Sequence, residues 1–188
     1  MRTRHPICFS FRSNVSILLA AAVLISGCPR VLYLNYQPST SVKGSGDIQV
    51  DRFVYSGHPT GLMKKKELGS SARDPEALYL SRDIAVFFHD ALEAELTYAG
   101  YDVRPASARE ISGRIEEFFL DYVGEEGQRF TVQVSLQVTK KDAPVFNSSC
   151  RSDSQRSKDW MQSGSLIERG VRDCIDEFLK IAQSAGAL

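Results

Sequence analysis

The chain is poor in histidine, with three in 188 residues, and it has one tryptophan and four cysteines. Only His58 and His89 lie beyond the basic N-terminal stretch, and no His-x-x-x-His zinc pair is present. No Gly-x-Ser-x-Gly nucleophile elbow occurs either. Hydrolase chemistry therefore has few groups to work with. His89 is followed by Asp90, with Glu93 four residues on, which reads as the polar boundary of a helix. The acid pairs Glu116-Glu117 and Glu125-Glu126 are neighbours in sequence that point to opposite sides of a strand or sit in a turn, so neither pair is expected to act as a catalytic dyad. There is also no excess of charge, with 23 basic and 23 acidic residues. That balance leaves no basic surplus to drive binding to nucleic acid or an anionic membrane face. No cofactor motif is apparent, and no metal site is expected.

Long apolar runs are missing as well. The longest, residues 15–25, spans about half of a ~30 Å hydrocarbon core at ~1.5 Å per residue. It is preceded by Arg2, Arg4 and Arg12 with no acidic residue, and followed by Ser26-Gly27-Cys28. A positive start, an apolar middle and small residues at a cut form the layout of a secretory signal. Leu24-Ile25-Ser26-Gly27-Cys28 resembles the bacterial lipobox. That resemblance implies that residues 1–27 are removed and that Cys28 is acylated as the first mature residue. Residues 28–45 then form the lipidated N-terminus with a short strand or tether, and 46–188 a single α+β periplasmic domain. Removal of 1–27 takes three arginines and no acids, leaving 20 basic and 23 acidic residues. Acylation stabilises attachment by ~0.8 kcal/mol per buried methylene. The residue after Cys28 is Pro29 rather than aspartate. Aspartate there is associated with inner-membrane retention in enteric bacteria, so the inner leaflet of the outer membrane is expected.

Two cysteines remain, Cys150 and Cys174, an even number for an oxidising compartment. Cys150 shares a strand face with Phe146, and Cys174 lies in the apolar stripe of the last helix, so a structural disulfide is expected. Two unpaired buried thiols are the alternative. The closed loop of about 25 residues corresponds to ~3.5 kcal/mol in the chain-entropy model.

Periodicity supplies the elements. Val31 to Tyr36 reads as a short strand, with an interfacial segment as the alternative, and Pro38 to Gly46 as a Ser/Gly-rich loop. Asp47 to Ser56 is a strand whose alternation slips near Arg52, the mark of a bulge. Gly57 to Arg73 is a long loop holding Lys64-Lys65-Lys66, read as a solvated run, with phosphates or headgroups as its alternative targets. Asp74-Pro75-Glu76 is the expected start of a helix whose stripe is Ile84, Phe87, Phe88, Ala91, Leu92, Leu96 and Ala99, closed by Gly100. Glu93 and Glu95 are expected mostly off that stripe. Tyr101 to Val103 is a short extended piece. Ile111 to Val123 carries apolar residues on both parities in its second half. It is either a central strand or one whose outer face, Phe118, Leu120 and Tyr122, is a partner-contact patch. A turn at Gly124 to Gly127 leads to Phe130-Val132-Val134-Leu136-Val138, which alternates without error. Val145 to Asp153 is the next strand, and Trp160 is expected over the entry to the next helix. Ser165-Leu166-Ile167-Glu168 resembles a capping box opening a last helix with Ile167, Val171, Cys174, Phe178 and Ile181 buried.

These elements predict an α+β fold: a mixed sheet of about four to six strands, mostly an antiparallel meander, with two long helices on one face. The strands flanking the first helix should be parallel. Together with the lipobox, Ser81-Arg82-Asp83-Ile84, Ala91-Leu92-Glu93-Ala94-Glu95-Leu96, Ala99-Gly100-Tyr101-Asp102-Val103 and Ile111-Ser112-Gly113-Arg114-Ile115-Glu116 resemble the YajG-type and ABC-transport-auxiliary lipoproteins. The resemblance covers about residues 46–182 and departs at the Gly57–Arg73 loop and the two cysteines. It implies no catalytic residues and, for the auxiliary members, a periplasmic partner role in lipid transport. The expected function is thus a non-catalytic, lipid-anchored envelope protein docking on a protein partner or on itself. The alternative is a binder of a lipid or small apolar ligand between sheet and helices, lined by Phe87, Phe88, Phe119 and Phe178.

Overall fold

A computed structural model describes residues 30–57, 67–68, 78–122, 127–156 and 163–188. The signal segment, Cys28, the lysine run, Asp74-Pro75-Glu76, most of the Gly124–Gly127 turn and Trp160 lie outside the described residues. The strands are β1 (Arg30–Leu32), β2 (Asp47–Tyr55), β3 (Leu78–Leu80), β4 (Asp102–Val103), β5 (Arg109–Tyr122), β6 (Gln128–Lys140) and β7 (Ala143–Arg156). The helices are α1 (Ile84–Ala99) and α2 (Ser163–Ser184). Five strands form one mixed sheet in the order β4-β2-β5-β6-β7, and β1 and β3 form a separate two-stranded ribbon. β2 is parallel to both β4 and β5, whereas β5, β6 and β7 form the antiparallel meander. α1 packs on β2, α2 packs on β6 and β7, and the helices touch each other. This is the expected α+β architecture.

The meander follows directly from alternation. Phe130, Val132, Val134, Leu136 and Val138 are all buried under the helices. Opposite them, Cys150 on β7 is bonded to Cys174 on α2, with Cα atoms 5.1 Å apart. The staple joins sheet to helix at a buried point.

β5 departs from the simple pattern. Its register against β6 slips between Ile115 and Glu117, so one extra residue enters the strand. A bulge of this kind inverts the parity of everything beyond it. Ile111 and Ile115 face the helices before the slip, and Phe118 and Leu120 face them after it. The strand therefore reads as apolar on both faces while burying only one. This corrects the expected contact patch. Phe118 and Leu120 belong to the core, and the side chain of Tyr122 lies outside the described residues. Phe118 makes edge-on ring contacts with Phe87 of α1 (6.4 Å) and Phe130 of β6 (4.8 Å). β2 carries a second slip between Val50 and Phe53, at the expected bulge near Arg52. It seats the Phe53 ring over Gly113, where an added Cβ would lie 2.5 Å from Phe53 Cε1. Only glycine leaves room for that ring.

α1 begins later than the sequence suggests. Leu78–Leu80 pairs in parallel with β1, and Asp83 is the residue before the first helical turn. Three residues that alternate buried, half-buried, buried satisfy a strand better than a helix. At the other end Gly100 takes φ +103° and donates its N–H to the last turn of α1, as expected of a left-handed cap. In α2, Ile167, Val171, Cys174 and Phe178 are buried as expected, but Ile181 is exposed, and Leu179 and Ala182 complete the stripe instead.

The segment expected to be a loose tether and loop is an ordered strap. From Val31 to Val42 every second residue turns inward: Leu32, Leu34, Tyr36, Pro38, Thr40 and Val42. It runs along the two helices, from Asn35 at Glu168 near the start of α2 to Lys43 at Gln183 near its end. Beyond β1 its backbone is satisfied mainly by helix side chains rather than by a neighbouring strand.

Candidate functional site

The strap is held by one buried carboxylate. Glu95 of α1 is fully buried and accepts three hydrogen bonds, from Tyr36 Oη (2.7 Å), Ser39 N (2.9 Å) and Thr40 N (2.7 Å). Arg172 Nε of α2 stands 3.9 Å from it, and the guanidinium lies over the Tyr36 ring while donating to Gln37 O (2.7 Å). Burying a carboxylate is costly unless charge-assisted bonds replace water, and here several do. Burial, then the hydrogen bond to Glu95, holds the Tyr36 phenol far above its ordinary range. Asp176 of α2 supplies a second clasp, accepting from Thr40 Oγ1 (2.6 Å) and Ser41 N (3.1 Å) and pairing with Lys180. Burial pushes the Asp176 carboxyl up, but the hydrogen bonds from Lys180, Thr40 and Ser41 outweigh it and hold the group below the ordinary 3.8. Glu168, expected to cap α2, accepts instead from Asn35 N at 2.7 Å, and α2 already begins at Ser163.

The sequence pattern assigns none of these groups a part in holding the strap. A signal did exist for Glu95. It follows Ala91 by four and Leu92 by three, so it sits on the apolar stripe rather than off it. A lone acid inside an apolar stripe implies a buried partner.

A groove of about 640 Å³ opens between β2 and the first turns of α1. Its walls are Arg52, Phe53, Val54 and Tyr55 on one side and Asp83, Ala85, Val86, His89 and Asp90 on the other. Val54 and Val86 are 55% and 49% exposed there. β4 covers β2 only at Asp47 and Ile48, so among the described residues no strand pairs with the rest of that edge. Burial, followed by the charges of Glu67 and Glu117, pushes the Tyr55 hydroxyl up to about 12.

His89 lies between two acids, its Nδ1 3.3 Å from Asp90 Oδ1 and its Nε2 3.8 Å from Glu93 Oε1. Asp90 also pairs with Arg82 at 2.6 Å. One ligand atom from each of His89, Asp90 and Glu93 can be drawn from within 4.8 Å, a spacing compatible with a divalent ion. Among the described residues, the groove lining includes no serine, threonine or cysteine for His89 to activate.

The sheet face away from the helices is polar. Because of the bulge, Glu116 and Glu117 both reach partners on it, where opposite sides were expected. Glu116 accepts from Gln133 (2.7 Å) and Ser135 (2.5 Å), and Glu117 accepts from Arg151 (3.2 Å). Arg151 also donates to Gln133 and Asp153, so these carboxylates are tied into a side-chain network. The hydrogen bond from Thr131, aided by Arg151 and outweighing a burial penalty, holds the Asp153 carboxyl below its ordinary value.

No family model matches the chain, and no curated protein matches it. Solved structures do. A DUF330 family protein from Xanthomonas campestris superposes with a TM-score of 0.65 at 11% identity, over 83% of this chain and 96% of that one. An uncharacterised protein superposes with a TM-score of 0.58 at 10% identity, over 81% and 98%. A hypothetical protein from Chlamydia trachomatis does so with a TM-score of 0.50 at 9% identity, over 76% and 97%. At these identities the likeness is one of fold.

Proposed function

We propose that this chain is a lipid-anchored, non-catalytic protein of the bacterial cell envelope whose α+β domain docks on a protein partner. The observation that carries the reading is the order of features at the N-terminus. A lipobox-like segment ends at Cys28, and the ordered strap begins two residues later at Arg30. A strap clamped to both helices so soon after an acylated cysteine would hold the domain at its anchor. No helix among the described residues is long and apolar enough to cross a membrane. Pro29 after Cys28 favours the outer membrane.

The partner surface is the groove beside the free edge of β2, in place of the buried Phe118 and Leu120. A strand edge that no other described strand covers beyond Ile48, next to exposed Val54 and Val86, suits an added extended segment. A lipid-binding role between sheet and helices is disfavoured by the packing. Phe87, Phe88 and Phe178 are buried with their rings in contact with neighbouring rings, and Phe119 lies on the opposite, polar side of the sheet with Thr131 and Arg151.

The test has two readouts. Mass spectrometry of the N-terminal peptide should find Cys28 acylated, and Cys28→Ala should move the protein from the membrane to the soluble fraction. Photocrosslinking from Val54 and Val86 in the native envelope should capture one defined protein. An unmodified Cys28 would sink the anchored reading, and capture of no defined protein would sink the adaptor reading.

A further inference from the structure

The strap also has a fixed direction along the domain. Arg30 is paired with Leu78 at the start of the β1–β3 ribbon. The strap then runs away from that point along both helices, past Glu168 and Glu95 to Gly44, whose N–H bonds Ala99 O at the end of α1. Arg30 and the N-terminal ends of both helices therefore share one end of the molecule. The β6–β7 turn at Lys140 lies at the opposite end of a 13-residue strand, about 40 Å away at ~3.3 Å per residue.

Only Pro29 separates Cys28 from Arg30, and the two steps reach at most about 7 Å in fully extended chain. The polar layer on each side of a bilayer is itself about 5–8 Å thick. An anchor on so short a tether leaves the start of the ribbon no route out of that layer. The residues displayed there suit it. Val31 is 41% exposed, Tyr79 lies beside it in register, and Tyr33, two residues on along the same outward face, is 82% exposed. Tyrosine favours the membrane–water boundary because it has an apolar ring and a polar tip.

We propose that the end of the domain that carries the β1–β3 ribbon, with Val31, Tyr79 and Tyr33 at its surface, rests in the headgroup layer of the bilayer that holds Cys28. The inference rests on the anchored reading of Cys28. It sets the orientation of the domain, with the β6–β7 turn pointing away from the membrane.

Acylated full-length protein in vesicles of phosphatidylethanolamine and phosphatidylglycerol tests it. Some of the lipid is brominated near the top of the acyl chain, and Trp160→Phe removes the native fluorophore. Single tryptophans are then placed by Tyr33→Trp and, as the distant reference, Lys140→Trp; both native side chains are exposed, and circular dichroism checks the fold. Flotation with the vesicles is read first. Failure to float overturns the anchored reading and this inference with it. With flotation intact, quenching at position 33 should exceed that at position 140 by about threefold, given a ~40 Å separation. Equal quenching would overturn the orientation alone. Insertion of eight Gly/Ser residues between Pro29 and Arg30 should lower quenching at position 33 by about half while flotation is kept, because the added chain reaches ~25 Å or more. Unchanged quenching would overturn the short tether as its cause.

Discussion

The meander and the strap are both extended chain with every second residue turned inward, yet they are held in different ways. β6 is bonded along both edges by backbone ladders to β5 and β7. The strap from Asn35 to Lys43 takes its bonds mainly from side chains, chiefly Glu95, Glu168, Arg172, Asp176 and Gln183. A ladder spreads its hydrogen bonds over many residues, so no single side chain decides it. A clasp concentrates them, so one substitution can release the segment while the sheet stays folded. The strap is the region where local opening and global unfolding should separate.

The largest expected effect falls on the sheet side of that contrast. Phe118→Ala empties a site between α1 and β6 and should cost about 3–5 kcal/mol in urea unfolding. A change under 1 kcal/mol would mean that Phe118 is a surface residue after all, as a regular strand would have made it. Glu95→Gln comes next. It removes the charge that three donors share and should weaken the clasp by about 2 kcal/mol. Amide hydrogen exchange is the discriminating readout. Ser39, Thr40 and Gly44 should lose protection while Val132 and Val134 keep theirs; equal loss in both sets would show that strap and sheet open together. The smallest effect is in pH. Asp176 is depressed in the folded state, so its contribution is present above the ordinary 3.8 and is lost as the pH falls through the lower folded value. Protection of Ser41 should therefore decline in that acid window in the wild type. In Asp176→Asn it should start lower and stay flat with pH. A decline of the same size in the variant would shift the acid sensitivity to another group.

Legibility in the sequence follows the same division. β6 was readable because its five apolar residues repeat at the period of a strand. The C-terminal end of α1 was readable because Gly100 can adopt the left-handed conformation without a Cβ penalty. The pairing of Cys150 with Cys174 was foreseeable from two inward positions on a strand and the helix over it. The second half of β5 was not. Two faces of apolar residues are equally consistent with a central strand and with a regular strand carrying a patch, and only the slip at Ile115/Glu117 decides between them. The sequence points to a helix start at Asp74 because Asp-Pro-Glu offers good local helix-opening chemistry, whereas the pairing of Leu78–Leu80 with β1, which delays the helix to Ile84, is a contact across 48 residues of chain. The groove was illegible for a related reason: Val54 and Val86 line one groove only when α1 lies on β2.

From the sequence by itself came the periodic elements, the helix cap, the charge balance, the lipobox-like segment and the two cysteines. Each depends on forces that act within a few residues: backbone sterics, side-chain direction and the chemistry of a short motif. The tertiary structure alone decided the face of Phe118 and Leu120, the burial of Glu95 and the docking of the strap. A bulge exists only relative to a partner strand, and a buried carboxylate is tolerable only where donors from distant segments converge on it.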